Sequence, residues 1–147
     1  MLGPKLLVRK AVLEDIPSLV QLNYLFNGVQ RSIGEVETDL LNTSEIIVVA
    51  VLEDQVVGYA CGQIYKSFCY PEDQAEITEM YIQDFARKNG LAVMMIERLE
   101  EIFKNAGVKN IKILTGLNNI KAIKTYEKAG YKQEEEIVFN KDLNHSL

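Results

Sequence analysis

The chain holds one histidine, His145, and that scarcity removes Ser-His-Asp and Cys-His catalysis along with any multi-histidine metal site. His145 itself reads as a solvated tail residue. Cysteine is nearly as scarce: Cys61 and Cys69 have neither a partner pair nor metal-ligand spacing, so free thiols in a reducing compartment are expected and a disulfide framework is not. Positive charge is not in excess. Sixteen basic against twenty-one acidic residues leave a formal net charge of −5, with no counterion-releasing surface for a phosphate backbone, so no nucleic-acid partner is expected. No apolar run reaches the roughly 18 residues that cross a bilayer, and the first ten residues carry no signal-peptide core, which predicts a cytoplasmic protein with no membrane partner. Only three prolines and a 48% hydrophobic composition exclude disordered, collagen-like and Pro-rich classes. With no repeat, linker or low-complexity tract, the 147 residues are expected to form one domain, residues 1–147.

What is present is a run of well-punctuated elements. An apolar strand is predicted over 5–9, followed by Glu14-Asp15-Ile16-Pro17, a capping carboxylate and a proline suited to a first helical turn. That helix keeps one apolar side until Gly28, and a weaker helix is predicted over 35–41. Residues 46–52 and 56–65 are β-rich and separated by Glu53-Asp54-Gln55, which predicts a hairpin. An exposed loop over 68–74 leads into a strand over 75–83. Leu91, Met94, Met95, Leu99, Ile102 and Phe103 then recur at spacings of three and four until Gly107, an amphipathic helix whose stripe must pack on a sheet. A strand over 111–115, a helix over 118–128 ending near Gly130, and a last strand over 137–139 complete the chain. Glu134-Glu135-Glu136 reads as a solvated turn. Strands and helices interleave only in the second half, so the fold class predicted is α/β of the α+β kind: a mixed sheet, antiparallel early and partly parallel late, with helices on both faces.

Between the 75–83 strand and the amphipathic helix the sequence reads Arg87-Lys88-Asn89-Gly90-Leu91-Ala92. A helix N-terminus offers unpaired N–H groups and the positive end of a dipole, and Gly90 and Ala92 let a large anion approach the backbone. With Arg87 and Lys88 adjacent, a pyrophosphate is the ligand that best uses these donors together. Neither a Walker-type Gly-Lys-Ser/Thr nor a three-glycine dinucleotide turn is present.

Downstream, Asn119, Ala122, Tyr126, Glu127, Lys128, Gly130 and Tyr131 form Asn-x-x-Ala-x-x-x-Tyr-Glu-Lys-x-Gly-Tyr. Together with the Arg87–Ala92 turn, this resembles the GNAT acyltransferase family, most strongly over residues 75–131. The resemblance implies a mostly antiparallel mixed sheet with a central parallel strand pair, and acetyl-CoA as acyl-donor cosubstrate with no metal. It further implies that Arg87, Lys88, Asn89, Gly90, Leu91 and Ala92 hold the pyrophosphate, that the backbone of Met80, Tyr81 and Ile82 pairs with the pantetheine arm, and that Asn119 reaches that arm from the other side. Tyr126 occupies the family position for the proton donor to the departing thiolate. The chain departs from the family at Ala92, where glycine is commoner, and at Lys88-Asn89, where glycine usually follows the arginine.

Acyl transfer to an amine needs a base, because holding a lysine-like amine neutral at pH 7 costs about 4.6 kcal/mol. Glu76 and Glu79 lie on the strand that would carry the thioester; strict alternation turns them to opposite sides, so only one serves unless a bulge intervenes. Glu76 is favoured because its distance before Ile82 resembles where family members place a base. A backbone N–H near Tyr81 or Ile82 is the candidate oxyanion donor. The activity expected is N-acetyl transfer to a primary amine of a small molecule or a protein, by direct attack in a ternary complex. The alternative is a non-catalytic CoA-binding sensor or interaction module. Clustered acids favour a cationic acceptor; the resemblance implies that residues 24–37 build part of its wall, where Tyr24, Phe26, Glu35 and Glu37 offer aromatic and acidic surface. Exposed sheet edges in small mixed folds often pair, which makes a homodimer the expected assembly if one forms.

Overall fold

The computed structural model describes residues 3–144; His145 lies outside them. The hairpin is the seed of the sheet. β2 (Ile46–Leu52) and β3 (Gln55–Tyr65) run antiparallel, and the reversal is made by Glu53 and Asp54 at φ 48° and 65° between the paired Leu52 and Gln55. Two left-handed residues in a row match the twist of the strands they join, here without the glycine that usually relieves the strain. β1 (Leu6–Lys10) pairs antiparallel with β2, and β4 (Gln74–Ile82) antiparallel with β3. β5 (Ile111–Ile113) pairs parallel with β4, giving a five-stranded sheet in the order β1-β2-β3-β4-β5.

Two helices cover each face. α1 (Ile16–Asn27) begins with Pro17 in its first turn and ends at Gly28, left-handed at φ 69°. Its Leu19 and Leu22 and Leu40 of α2 (Ile33–Asn42) pack on Val49, Val51, Tyr59 and Cys61. On the opposite face α3 (Leu91–Asn105) buries Leu91, Met95, Ile96, Leu99 and Phe103 against Val48, Ala50, Val57, Ala60, Ala75, Ile77 and Ile82. α4 (Ile120–Lys128) adds Tyr126 to the edge of that core. The α3 contact is close: a Cβ on Gly62 would lie 2.5 Å from Phe103 Cζ.

Of the two acids that offered a capping carboxylate, Asp15 stands at the N-cap of α1 but makes no side-chain cap bond to it. Its carboxylate accepts the Val12 N–H at 2.8 Å and both Arg9 guanidinium nitrogens at 2.7 and 3.0 Å, tying β1 to the start of α1. The last predicted strand does not form. Ile137, Val138 and Phe139 are 75%, 71% and 88% exposed, and no ladder joins them to β5. Their β-branched and aromatic character suits a strand, but three successive apolar residues have no alternation to fix which face is buried, and without a partner propensity alone holds nothing. The parallel pair β4-β5 therefore stands at one end of the strand order.

Candidate functional site

The segment joining β4 to α3 is shaped by its own carbonyls. Arg87 folds back over the end of β4, where its Nε donates to Ile82 O at 2.8 Å, its Nη1 pairs with Asp84 at 2.8 Å, and its guanidinium carbon lies 5.9 Å from the Tyr81 ring centroid. Asn89 Nδ2 donates to Ala86 O at 3.1 Å. Lys88 takes a left-handed φ of 67° and Gly90 one of 80°, so Lys88 holds a conformation better suited to glycine. No side chain caps the N-terminus of α3, whose first internal bond runs from Met94 N–H to Gly90 O, and nothing lies within 4 Å of where a Gly90 Cβ would be. The first amides of the helix thus lack a partner within the chain, with Arg87 and Lys88 in the turn just before them, an arrangement that suits an anion.

Beside this turn the sheet splits. β5 follows β4 only from Ala75 opposite Ile111 to Ile77 opposite Ile113, and then the chain leaves the sheet. The backbone edge of Met80, Tyr81 and Ile82, immediately before the loop, therefore has no strand on that side. An extended amide-bearing chain could pair there. The residues present fit a CoA-like molecule: bare amides for its diphosphate, and a bare strand edge for its arm.

Along β4 the two glutamates meet the exception that strict alternation allows, a bulge. The β3-β4 register shifts between Cys61 and Gly62, with Cys61 opposite Glu79 but Gly62 opposite Ile77, so Thr78 is the extra residue of a bulge. Ile77 and Gly62 face α3, whereas Cys61 belongs to the core under α1. Glu76 and Glu79, on either side of the bulge, consequently share the α1-α2 face instead of pointing apart.

That face opens into a pocket of about 470 Å³ between α1, α2 and the sheet, lined among others by Asn23, Arg31, Asp39, Glu45, Tyr59, Cys61 and Glu79. Glu79 is in its wall; Glu76 is not. Tyr24, Phe26, Glu35 and Glu37 are likewise absent from it. Phe26 is occupied in stacking on Tyr81, with centroids 5.0 Å apart, and Glu35 N–H and carboxylate serve the start of α2 and Arg31. Glu45 and Tyr59 escaped the sequence reading. Glu45 precedes an apolar strand and looks like ordinary flanking polarity, and Tyr59 sits in a β-rich run like any core aromatic. Only the register brings them together. Burial pushes the Glu45 carboxyl up, and the charge of Glu79 pushes it further, against a hydrogen bond from Cys61. Burial, then Glu45 and Glu79, push the Cys61 thiol far above its ordinary value. Tyr59 is 5% exposed and its hydroxyl has no hydrogen-bond partner.

α4 supplies the remaining predicted residues. Asn119 is its N-cap, with Oδ1 accepting from Ala122 N–H at 3.3 Å. Tyr126 lines a second cleft, of about 230 Å³, with Ile113, Leu114 and Tyr131, and burial raises its phenol so that it keeps its proton. Among the described residues no cluster of His, Cys, Asp and Glu could hold a metal ion, and no helix is long and apolar enough to cross a membrane.

The chain is similar to known proteins in sequence and in fold. The uncharacterized protein YxbD of Bacillus subtilis is 26% identical over 99 residues, which are 66% of this chain and 57% of that protein, so the chain spans little more than half the length of this curated relative. Two solved structures overlay on nearly the whole chain. One is the aminoglycoside acetyltransferase meta-AAC0020 from an uncultured soil metagenomic sample, in complex with sisomicin, at a TM-score of 0.82 with 18% identity, covering 95% of this chain and 97% of that one. The other is the aminoglycoside N-acetyltransferase AAC(6')-Iy in complex with CoA, also at 0.82, with 15% identity and 96% and 97% coverage. At such identities these overlays establish the fold. The sequence pattern of the Acetyltransferase (GNAT) family matches residues 14–131, from the turn before α1 to the end of the Tyr-Glu-Lys-x-Gly-Tyr motif, and the chain belongs to that family.

Proposed function

We propose that the protein transfers an acetyl group from acetyl-CoA to a primary amine, by direct attack within a ternary complex. The observation that carries this reading is the uncapped start of α3, open in front of Gly90, next to the unpaired Met80–Ile82 edge of β4. Amides of Asn89, Gly90, Leu91 and Ala92, with Arg87 and Lys88 beside them, bind the diphosphate. The β4 edge and Asn119 hold the pantetheine arm. Bound acetyl-CoA supplies an activated thioester carbonyl, and the acceptor reaches it from the α1-α2 face. Glu79, in the pocket wall, takes the proton that the attacking amine loses, with Glu76 next along the same face. As the carbon–sulfur bond breaks, Tyr126 gives its proton to the leaving sulfur. An acetyl-cysteine is unsuited to this site, because Cys61 is buried beside two carboxylates and holds its proton. The reading places the enzyme in the cytoplasm as one catalytic domain, with a homodimer formed along a sheet edge.

Incubation with acetyl-CoA and a panel of amines, read by release of free thiol, tests the proposal. Thiol release above the hydrolysis background is expected. Tight CoA binding with no turnover on any amine would favour a sensor instead. Gly90→Glu, which sets a carboxylate before the amides at a left-handed position, is expected to abolish CoA binding.

A further inference from the structure

The pocket under α1 and α2 carries more negative charge than its own residues neutralise. Its lining includes three carboxylates, Asp39, Glu45 and Glu79, and one cation, Arg31. Arg31 is already engaged, at 2.7 Å from Asp39 and 3.7 Å from Glu35. Among the described residues neither Glu45 nor Glu79 forms an ion pair with a basic side chain. Both line the same pocket, the charge of Glu79 bears on Glu45, and Glu45 is half-buried where Glu79 is exposed. A half-buried carboxylate that also feels the charge of an exposed one across the pocket is unfavourable, and a cation entering beside it relieves the repulsion. An independent sign points the same way. The Tyr59 hydroxyl is buried in the same wall with no partner, within the field of Glu45 and Glu79. A polar atom left unpaired in a site is one a ligand can satisfy.

We infer that Glu45, with the Tyr59 hydroxyl, anchors a second cationic group on the acceptor, so that the substrate is a small compound carrying at least two amino groups. This rests on the transfer reading above and specifies its acceptor. One amine surrenders its proton to Glu79 and is acetylated. The other remains an ammonium on Glu45 and places the first. A volume of about 470 Å³ lies within the range of small-molecule sites and gives room to a short aliphatic diamine or an amino sugar. Because acetylation removes one of the two positive charges, the product binds less well than the substrate, which favours its release.

The test compares a matched pair, 1,5-diaminopentane and 1-aminopentane, by thiol release and by calorimetric binding without acetyl-CoA. A charge-assisted hydrogen bond in a partly dehydrated site corresponds to roughly tenfold to hundredfold, so kcat/KM is expected to be at least about tenfold higher for the diamine. In Glu45→Gln that ratio falls towards one, mainly through a higher KM for the diamine. Retained CoA binding reports that the variant is folded. Should Glu45→Gln fail to fold, Tyr59→Phe, which removes only an unpartnered hydroxyl, is expected to weaken diamine binding several-fold. Equal kcat/KM for the two amines, or a ratio unmoved by Glu45→Gln, overturns the inference while leaving acetyl transfer intact. If neither amine is acetylated, the calorimetry decides separately. Diamine binding that Glu45→Gln abolishes supports the anchor even though the transfer reading has failed, and absence of diamine binding overturns it.

Discussion

Asp15→Ala should cost this protein about 3 kcal/mol at neutral pH, and the loss should shrink in acid. Asp15 is 5% exposed, and its carboxylate receives two Arg9 nitrogens and the Val12 N–H within 3.0 Å. Removing one partner of a buried ion pair typically costs about 3–5 kcal/mol. The Arg9 side chain, however, is 36% exposed and can be rehydrated, which favours the low end even after about 1 kcal/mol is added for the orphaned Val12 N–H. For a chain of this size, 3 kcal/mol corresponds to a Tm lower by about 10 °C. The pH dependence follows from competing influences on one carboxyl. Burial pushes it up, but the Arg9 hydrogen bonds, the Val12 N–H and the Arg9 charge together hold it below its ordinary value. A group whose pKa is depressed on folding contributes fully above its unfolded value, about 3.9, and loses that contribution as pH falls through the folded value. The stability gap between wild type and Asp15→Ala should therefore be flat from about pH 5 to 8 and narrow as pH falls below about 4. Urea denaturation at several pH values, with the m-value checked for constancy, measures it. A gap under about 1 kcal/mol at pH 7, or one equally large at pH 3, refutes the reasoning.

Other expectations concern the site and the core. Tyr126→Phe should leave CoA affinity nearly unchanged and lower kcat by at least about tenfold, as loss of a proton donor does; an unaltered rate in single-turnover assays removes Tyr126 from the chemistry. At the loop, Lys88→Gly and Lys88→Ala both delete the cation, but only glycine relaxes the φ of 67°, so the glycine variant should be more stable by about 1 kcal/mol in thermal melts. Equal stability would mean that the turn is not left-handed in solution. Gly62→Ala, whose new carbon meets Phe103 Cζ at 2.5 Å, should cost about 1–3 kcal/mol, and less when combined with Phe103→Leu.

Much of this architecture was legible because local chemistry and tertiary need coincide. The 3-4 spacing from Leu91 to Phe103 could bury itself only as a helix, and Pro17, Gly28 and Gly107 punctuate where the backbone demands it. Three things escaped. The bulge at Thr78 leaves no mark in composition, since either glutamate would suit an unbroken strand. Glu45 acquires meaning only from the strands beside it. Ile137 to Phe139 carries strand-like residues, yet their exposure shows that hydrogen-bonding partners, not side-chain type, decide whether a strand exists. The 24–37 segment does line the α1-α2 pocket, but through Asn27, Arg31 and Val36; aromatic and acidic character was a poor guide to which of its residues do so, because Phe26 is taken up by Tyr81 and Glu35 by Arg31.

The single inserted residue in β4 has a consequence for how this strand can change over time. Excising Thr78 would restore plain pleating and force a half-turn on one end of the strand. Either Ala75 to Ile77 would invert, driving the Glu76 charge beneath α3 and Ile77 to the α1-α2 face, or Met80 to Ile82 would invert and turn their unpaired backbone edge away from the β5 side. Neither outcome preserves both a dry core and two acids on one side. Length at this point should tolerate no drift, even where the identity of the extra residue does.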